Sequence, residues 1–294
     1  VAESRLIPGF WIGISPGKTD QSGVPELPEV ETTRRGIEPH LRGARITEVI
    51  IRRRDLRQPV SDSVAELEGR CVTSVGRRSK YLLLDVDDGS TLLIHLGMSG
   101  SLRLVPPADP WKLHDHIGIT LQGGRQLRFH DPRRFGLVLH FHGDPARHEL
   151  LRNLGPEPME DGFNLAGFAA ACAKRAAPIK QVIMDAKVVV GVGNIYASEA
   201  LFRAGIRPQT AAKRLSRPRL AKLIDAIREV LAAAIDEGGT TLRDFLKSDG
   251  QPGYFRQRLM VYERKGEPCR HCGTLIRHAV MGQRSTYWCP RCQK

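Results

Sequence analysis

The sequence predicts an α+β protein of several modules: an antiparallel β-sandwich or barrel-like core, then a helical region, then a small metal-binding module. Three observations predict it. Short β-branched and aromatic runs recur from Ile46 to Phe141, the pattern turns helical after Pro156 and Pro158, and four of the six cysteines cluster between Cys269 and Cys292.

Taken in order, residues 1 to 24 scatter Gly9, Gly13, Pro16, Gly17 and Gly23 among polar residues and sustain no helical or strand period, so no element is predicted there. A short helix is predicted from Thr32 to about Leu41, stopped near Pro39 and Gly43. Ile46 to Ile51, Cys71 to Val75, Tyr81 to Val86, Thr91 to Leu96, His116 to Leu121, Gln126 to Phe129 and Val138 to Phe141 read as strands, punctuated by Asp-Asp-Gly, Gly-Gly and Pro-Pro. Strands at that spacing suit an antiparallel sandwich or barrel. Helices are predicted over Leu165 to Lys174, Ile179 to Asp185 and Asn194 to Arg203. The strongest runs from Ser216 to about Glu237. There Ser216 can cap, Pro218 falls in the first turn, and Leu220, Leu223, Ile224, Ile227, Leu231, Ala234 and Ile235 form one apolar face before Gly238 and Gly239. From Gly238 to about Arg264 the chain is too polar and too glycine-punctuated to build a core.

Lys and Arg number 45 against 32 Asp and Glu, a formal charge of +13 with 41% hydrophobic residues. That balance favours a polyanionic partner through counterion release and long-range attraction; arginine-rich codon usage is the alternative. No run of about 18 apolar residues occurs and no signal-peptide pattern opens the chain, which excludes a helical membrane span and points to reducing cytosol. Cys71 and Cys172 stand alone in apolar settings and read as buried small hydrophobes.

Cys269-x-x-Cys272 and Cys289-x-x-Cys292, sixteen residues apart, have the spacing of two knuckles that hold one Zn2+ between four thiolates. A disulfide framework or another thiophilic metal is the alternative. With every position a cysteine, none is left for water or substrate, so the zinc is expected to be structural. It would fix a hairpin carrying Arg270, Arg277, Gln283, Arg284 and Lys294. Arg284 reads either as a groove or phosphate contact or as a solvated hairpin charge.

Four blocks, in order along the chain, then carry a resemblance. They are Pro25-Glu26-Leu27-Pro28-Glu29, Asp131-Pro132-Arg133-Arg134-Phe135-Gly136, Val190 to Glu199 with its Gly191-Val192-Gly193-Asn194 core, and the closing four-cysteine module. Together they resemble the formamidopyrimidine-DNA glycosylase branch of the Fpg/Nei-type DNA repair enzymes. The resemblance implies an amino-terminal β-sandwich catalytic domain with flanking helices over 25–155, a helix-two-turn-helix DNA-binding domain with a lesion-loop linker over 156–261, and a zinc finger over 262–294. The lesion loop is expected between Gly238 and Tyr254.

The resemblance also implies residue roles. Pro25 is the nucleophile that attacks C1′ of a damaged nucleotide, and an α-amine, with a reference pKa of about 8, is partly neutral at physiological pH. An amine held in the Val24-Pro25 peptide bond cannot attack, so residues 1–24 are expected to be an over-extended or removed leader. Glu26 is the acid-base residue beside it, and Glu29 an anchor for the terminus. Lys80 binds phosphate or sugar next to the lesion. Lys180, Asn194 and Arg284 contact the phosphate backbone, with Gly191 and Gly193 allowing close backbone approach. Met98, Arg133 and Phe135 fill the void left by the flipped nucleotide, and Arg134 binds phosphate or braces its loop. On the residues alone, Lys80 reads as a solvated hairpin-edge charge, and Met98 and Phe135 read equally well as core packing.

The implied protein is a monomeric, bacterial-type, cytoplasmic, nucleoid-associated enzyme. It excises oxidised purines (8-oxoguanine, formamidopyrimidines) from double-stranded DNA, acts on abasic sites through a Pro25 Schiff base with β,δ-elimination, and holds one structural Zn2+. The alternatives are an oxidised-pyrimidine glycosylase of the sister branch, a non-catalytic damaged-DNA-binding protein with a blocked Pro25, and an RNA-binding zinc protein.

Overall fold

The computed structural model describes residues 25–239 and 258–294. The leader over 1–24 and, beyond Gly239, the expected lesion loop lie outside the described residues.

Helix α1 (Leu27–Leu41) opens the described chain. Eight strands follow: β1 (Ile46–Ile51), β2 (Val72–Arg78), β3 (Tyr81–Val86), β4 (Ser90–His95), β5 (Ser101–Val105), β6 (Asp115–Leu121), β7 (Arg125–His130) and β8 (Leu137–His142). They form two four-stranded sheets, in the orders β1-β6-β7-β5 and β2-β3-β4-β8, with antiparallel pairing throughout. This is the expected sandwich. Its core joins Val30, Ile37 and Leu41 of α1 to inward residues of both sheets, among them Val75, Leu82, Ile94, Ile117, Leu127 and Phe129. The other face of β3 and β4 is apolar too, and Leu93 packs with Leu137 and Leu151 in a smaller cluster.

Four local features depart from the sequence reading. Helix α1 starts at Leu27 rather than Thr32, because Glu26 and Glu29 form a reciprocal capping box and Pro28 sits in the first turn, where its missing N–H costs nothing. Pro39 falls in the last turn instead of ending the helix. Strand β5 was not predicted: Ser101-Leu102-Arg103-Leu104-Val105 is short and runs into Pro106-Pro107, yet it pairs with β7 residue by residue from Ser101↔His130 to Val105↔Gln126. Strand β2 also runs three residues past Val75, to a two-residue turn at Ser79-Lys80 in which Ser79 takes a φ of 56°.

Beyond the sandwich come α2 (Leu165–Ala173), α3 (Ile179–Ile183), α4 (Asn194–Ala204) and α5 (Arg217–Asp236). The predicted face of α5 is buried from Leu220 to Ala234, joined by Ala226 and Val230, while Ile235 stays half-exposed. It packs on Ile195, Tyr196 and Leu201 of α4. The carboxyl end forms the hairpin β9 (Arg277–Met281) and β10 (Arg284–Trp288) between the two cysteine pairs. Among the described residues, no helix is long and apolar enough to cross a membrane.

The lobes meet through polar joints. Leu27 N–H donates to Gly191 O (3.3 Å). Buried Glu157 accepts from Arg77 and Arg78 (2.8 Å each) and from Ser79 N–H (2.7 Å), which fastens the β2–β3 turn, and Lys80 with it, to the segment leading into the helices.

Candidate active site

Glu26 is the centre of the site. It precedes α1, is 3% exposed, and points its carboxylate at the start of α4, where Ile195 N–H donates to Oε1 at 3.1 Å and Tyr196 N–H to Oε2 at 3.5 Å. A carboxylate there meets the positive end of the helix dipole. Burial is the larger influence and raises its pKa above the ordinary carboxylate value; the Lys80 ammonium opposes that shift and Glu29 adds to it. Glu29, fully buried, accepts from Glu26 N–H (2.9 Å) and from the Tyr196 hydroxyl (2.7 Å), so it ties the backbone of Glu26 to α4.

The two glycines before α4 serve a different purpose from the one expected. A Cβ on Gly193 would lie 2.1 Å from Glu26 Cδ, and one on Gly191, whose φ is +79°, would lie 2.3 Å from Leu27 Cδ1. They admit the chain's own amino-terminal segment.

Glu26, Lys80, Asn194 and Arg284 all line one cavity of about 110 Å3, with Met184, Val192, Gly193, Ile195 and Tyr262. Residues from the cap of α1, the β2–β3 turn, α4 and the β9–β10 hairpin thus converge across more than 250 positions of sequence. Tyr262 was missed by the sequence reading, and no spacing signal marks it. It is 3% exposed, and Glu199, also buried, holds its segment by accepting the N–H groups of Met260, Val261 and Tyr262 at 2.8–3.0 Å.

Lys180 does not face this cavity as a phosphate contact would. It is 1% exposed, and its three donors go to Asn194 Oδ1 (2.6 Å), Ser285 O (2.9 Å) and Thr286 Oγ1 (2.8 Å). It therefore ties α3, α4 and β10 together behind the site. Burial lowers its pKa to about 7, with Glu26 opposing the shift and Arg284 adding to it. Between about pH 7 and the free value of about 10.4 the unfolded chain binds a proton that folded Lys180 does not, so stability rises with pH across that window. The melting temperature of the wild type is expected to climb relative to Lys180→Met from pH 7 to 10 in parallel thermal melts; a constant difference would contradict the buried, deprotonating amine.

Met98, Arg133, Arg134 and Phe135 form a second group, away from the cavity lining. Met98 lies between β4 and β5 and the others between β7 and β8. Met98 is half-buried, Arg133 is exposed, and Phe135 is 47% exposed with the Arg133 guanidinium 5.5 Å from its ring centre. Such a large exposed aromatic is not core packing. Arg134, with a φ of 57°, pairs with Asp55 and so braces the loop.

The thiols of Cys269, Cys272, Cys289 and Cys292 lie within 4.8 Å of one another. Four sulfurs about 2.3 Å from one tetrahedral ion stand about 3.8 Å apart. The Cys269–Cys292 and Cys272–Cys289 separations of 4.0 and 3.4 Å bracket that value, so the donor set fits one zinc, and all six cysteines are unpaired as disulfides.

The chain matches the family models for the formamidopyrimidine-DNA glycosylase N-terminal domain over residues 24–138, the H2TH domain of the same glycosylase over 154–246, and the zinc finger found in FPG and IleRS over 266–294. The formamidopyrimidine-DNA glycosylase of Xanthomonas campestris pv. campestris (strain 8004) is 56% identical over 273 residues, covering 92% of this chain and 100% of the relative. The chain belongs to the formamidopyrimidine-DNA glycosylase family. Two solved members of known structure overlay closely. MutM (Fpg) from Thermus thermophilus has a TM-score of 0.83 at 41% identity, covering 92% of this chain and 98% of that one. Lactococcus lactis Fpg has been solved with DNA containing an abasic site, an oxidised pyrimidine and Fapy-dG; those structures are 32% identical, cover 92% of this chain and 100% of that one, and give TM-scores of 0.85, 0.84 and 0.84. As a member of this family of DNA-repair glycosylases, the chain carries the family's β-sandwich, helix-two-turn-helix and four-cysteine finger.

Proposed function

We propose that this glycosylase excises oxidised purines from duplex DNA and then cleaves the strand as an abasic-site lyase, with Pro25 as the nucleophile. The observation that carries the reading is the buried Glu26 carboxyl, one residue from Pro25, facing a cavity ringed by Lys80, Asn194, Arg284 and Tyr262. Attack of the Pro25 amine on C1′ expels the base and, once the nitrogen has lost its proton, leaves an aminal; breaking of the C1′–O4′ bond then opens the sugar to an iminium ion. That cation withdraws electrons from C2′, so loss of a C2′ proton breaks the 3′ C–O bond, and a second elimination breaks the 5′ one. Glu26, with its raised pKa, is suited to hand a proton to the sugar ring oxygen as the ring opens and to take up protons during elimination. Lys80 and Arg284 would hold the phosphates flanking the lesion, with Asn194 and Tyr262 beside them. Met98, Arg133 and Phe135 would occupy the space of the extruded nucleotide, as apolar wedges with a guanidinium for the orphaned base.

The mechanism requires a free Pro25 amine. The reading therefore includes a working chain that begins at Pro25, supported by the family match from residue 24 and by a relative covered in full by 92% of this chain. It also includes one structural zinc in the four-cysteine module, and a monomer acting on nucleoid DNA in the bacterial cytoplasm. The purine preference follows the Pro25-Glu26-Leu27-Pro28-Glu29 and Arg133-Arg134-Phe135 blocks; the oxidised pyrimidine bound by the Lactococcus protein keeps pyrimidine lesions as a second substrate class.

Borohydride trapping on duplexes carrying 8-oxoguanine or an oxidised pyrimidine, with intact mass and amino-terminal sequencing of the same sample, tests this. A covalent adduct on protein beginning at Pro25, formed faster with the purine, is expected. A terminus at Val1 with tight binding and no adduct would replace the reading with a non-catalytic damage-binding protein.

A further inference from the structure

Three side chains assigned to the vacated nucleotide space come from two loops, and a wedge made of two independent loops would be soft. The structure joins them. Asp131, 0% exposed, sits between them: its Oδ1 accepts the Ser99 hydroxyl at 2.7 Å, and its Oδ2 accepts Gly136 N–H at 2.7 Å. The Ser99 oxygen in turn accepts Arg133 N–H at 3.1 Å. Ser99 is itself 3% exposed and adjoins Met98 in the chain. The backbone of Asp131 is held on β6 and beside it, its carbonyl meeting His116 Nε2 at 2.8 Å and its N–H donating to His114 O at 3.0 Å. Both carboxylate oxygens and both backbone groups of Asp131 thus have partners inside the protein.

The backbones also touch. A Cβ on Gly97, whose φ is +68°, would lie 2.4 Å from the carbonyl carbon of Phe135 and 2.5 Å from Gly136 N, and one on Gly136 would lie 2.4 Å from Phe129 Cζ. Only hydrogen fits at that crossing.

From this geometry we infer that Asp131 and Ser99 are positioning residues that lock the Met98 loop and the Arg133–Phe135 loop into one preformed insertion head. The inference rests on the proposed role of Met98, Arg133 and Phe135. Side chains that must enter a base stack at one depth and angle need support of this kind, since a displacement of about 1 Å can cost about a hundredfold in rate. Ser99→Ala removes the donor to Asp131 and the acceptor for Arg133 N–H together, without adding bulk.

The test compares two substrates. Excision of 8-oxoguanine from a duplex requires filling a vacated space beside an orphaned base, whereas borohydride trapping on a single-stranded abasic oligonucleotide does not. Ser99→Ala and Asp131→Ala are expected to slow single-turnover duplex excision by at least about tenfold, to change single-strand trapping less than twofold, and Ser99→Thr is expected to recover most of the loss. Ser99→Ala carries the test if Asp131→Ala does not fold. An equal loss on both substrates would make the two residues merely structural, and wild-type rates on both would show that no lock is needed. Phe135→Ala separates the underlying reading: unchanged duplex excision by that variant removes the insertion role and this inference with it, while a slowed Phe135→Ala beside an unaffected Ser99→Ala overturns the lock alone.

Discussion

Gly193→Ala is expected to lower base excision by about a hundredfold or more, the scale on which a misplaced general acid acts. The added methyl would lie 2.1 Å from Glu26 Cδ, 2.3 Å from Oε1 and 2.5 Å from Oε2. It cannot coexist with the carboxylate in its present place. The backbone of Gly193, at φ −100° and ψ −160°, is one that alanine adopts without strain, so the whole effect must come from that collision. Displaced, Glu26 loses the Ile195 and Tyr196 N–H donors, and with them its hold on the first turn of α4. Overpacking a tight site of this kind costs about 1–3 kcal/mol of stability, so the variant should fold with a lowered melting temperature. Glu26→Gln is the companion: it keeps the volume and an acceptor for the helix but removes the proton donor. If the collision account holds, both variants lose excision, and only Gly193→Ala loses stability appreciably. Single-turnover excision within about tenfold of wild type for Gly193→Ala would refute the account.

That case marks where sequence reading stops. The Gly-x-Gly-Asn pattern before α4 signals a helix start open to an anion, and an anion is there. It is Glu26, from a segment some 170 positions away in the chain, and only the three-dimensional contact says so. The buried setting of Lys180, which was read as a phosphate contact, and the place of Tyr262 escaped for the same reason. Their burial is decided by contact between α3, α4 and β10, and between Asn194 and the segment held by Glu199, none of which leaves a local period. Strands β3 and β4 were legible because apolar residues are dense and their ends are punctuated, whereas β5 is only five residues long and runs straight into Pro106-Pro107. The four cysteines were legible because their chemistry requires proximity, so spacing alone carries the signal. The loops carrying Met98 and Arg133–Phe135 stand out in sequence as motifs, but the carboxylate joining them was read only as the first residue of one.

Removing the ion from the four-cysteine module is expected to disable DNA binding and excision together while the β-sandwich stays folded. Cys269 and Cys289 belong to a small cluster with Val261 and Ile276, and no residue of that cluster belongs to the sandwich core. Structural zinc sites of this size draw their folding free energy from the metal, so Cys269→Ser or a strong chelator should release β9 and β10 locally. Lys180 then loses Ser285 O and Thr286 Oγ1 and is left with Asn194 alone, and Arg284 leaves the cavity it shares with Glu26 and Lys80. A charge-assisted contact is worth about 1.5–3 kcal/mol, so the loss of Arg284 by itself weakens duplex binding about tenfold to a hundredfold. Excision should fall further than binding, because Asn194 loses its place when Lys180 does. Arg284→Ala isolates the first of these effects: it should weaken binding with the metal still present at one ion per chain by elemental analysis. If metal-free protein kept the affinity of the wild type, the hairpin would have no part in holding DNA, and Arg284 would return to being a solvated charge on a hairpin.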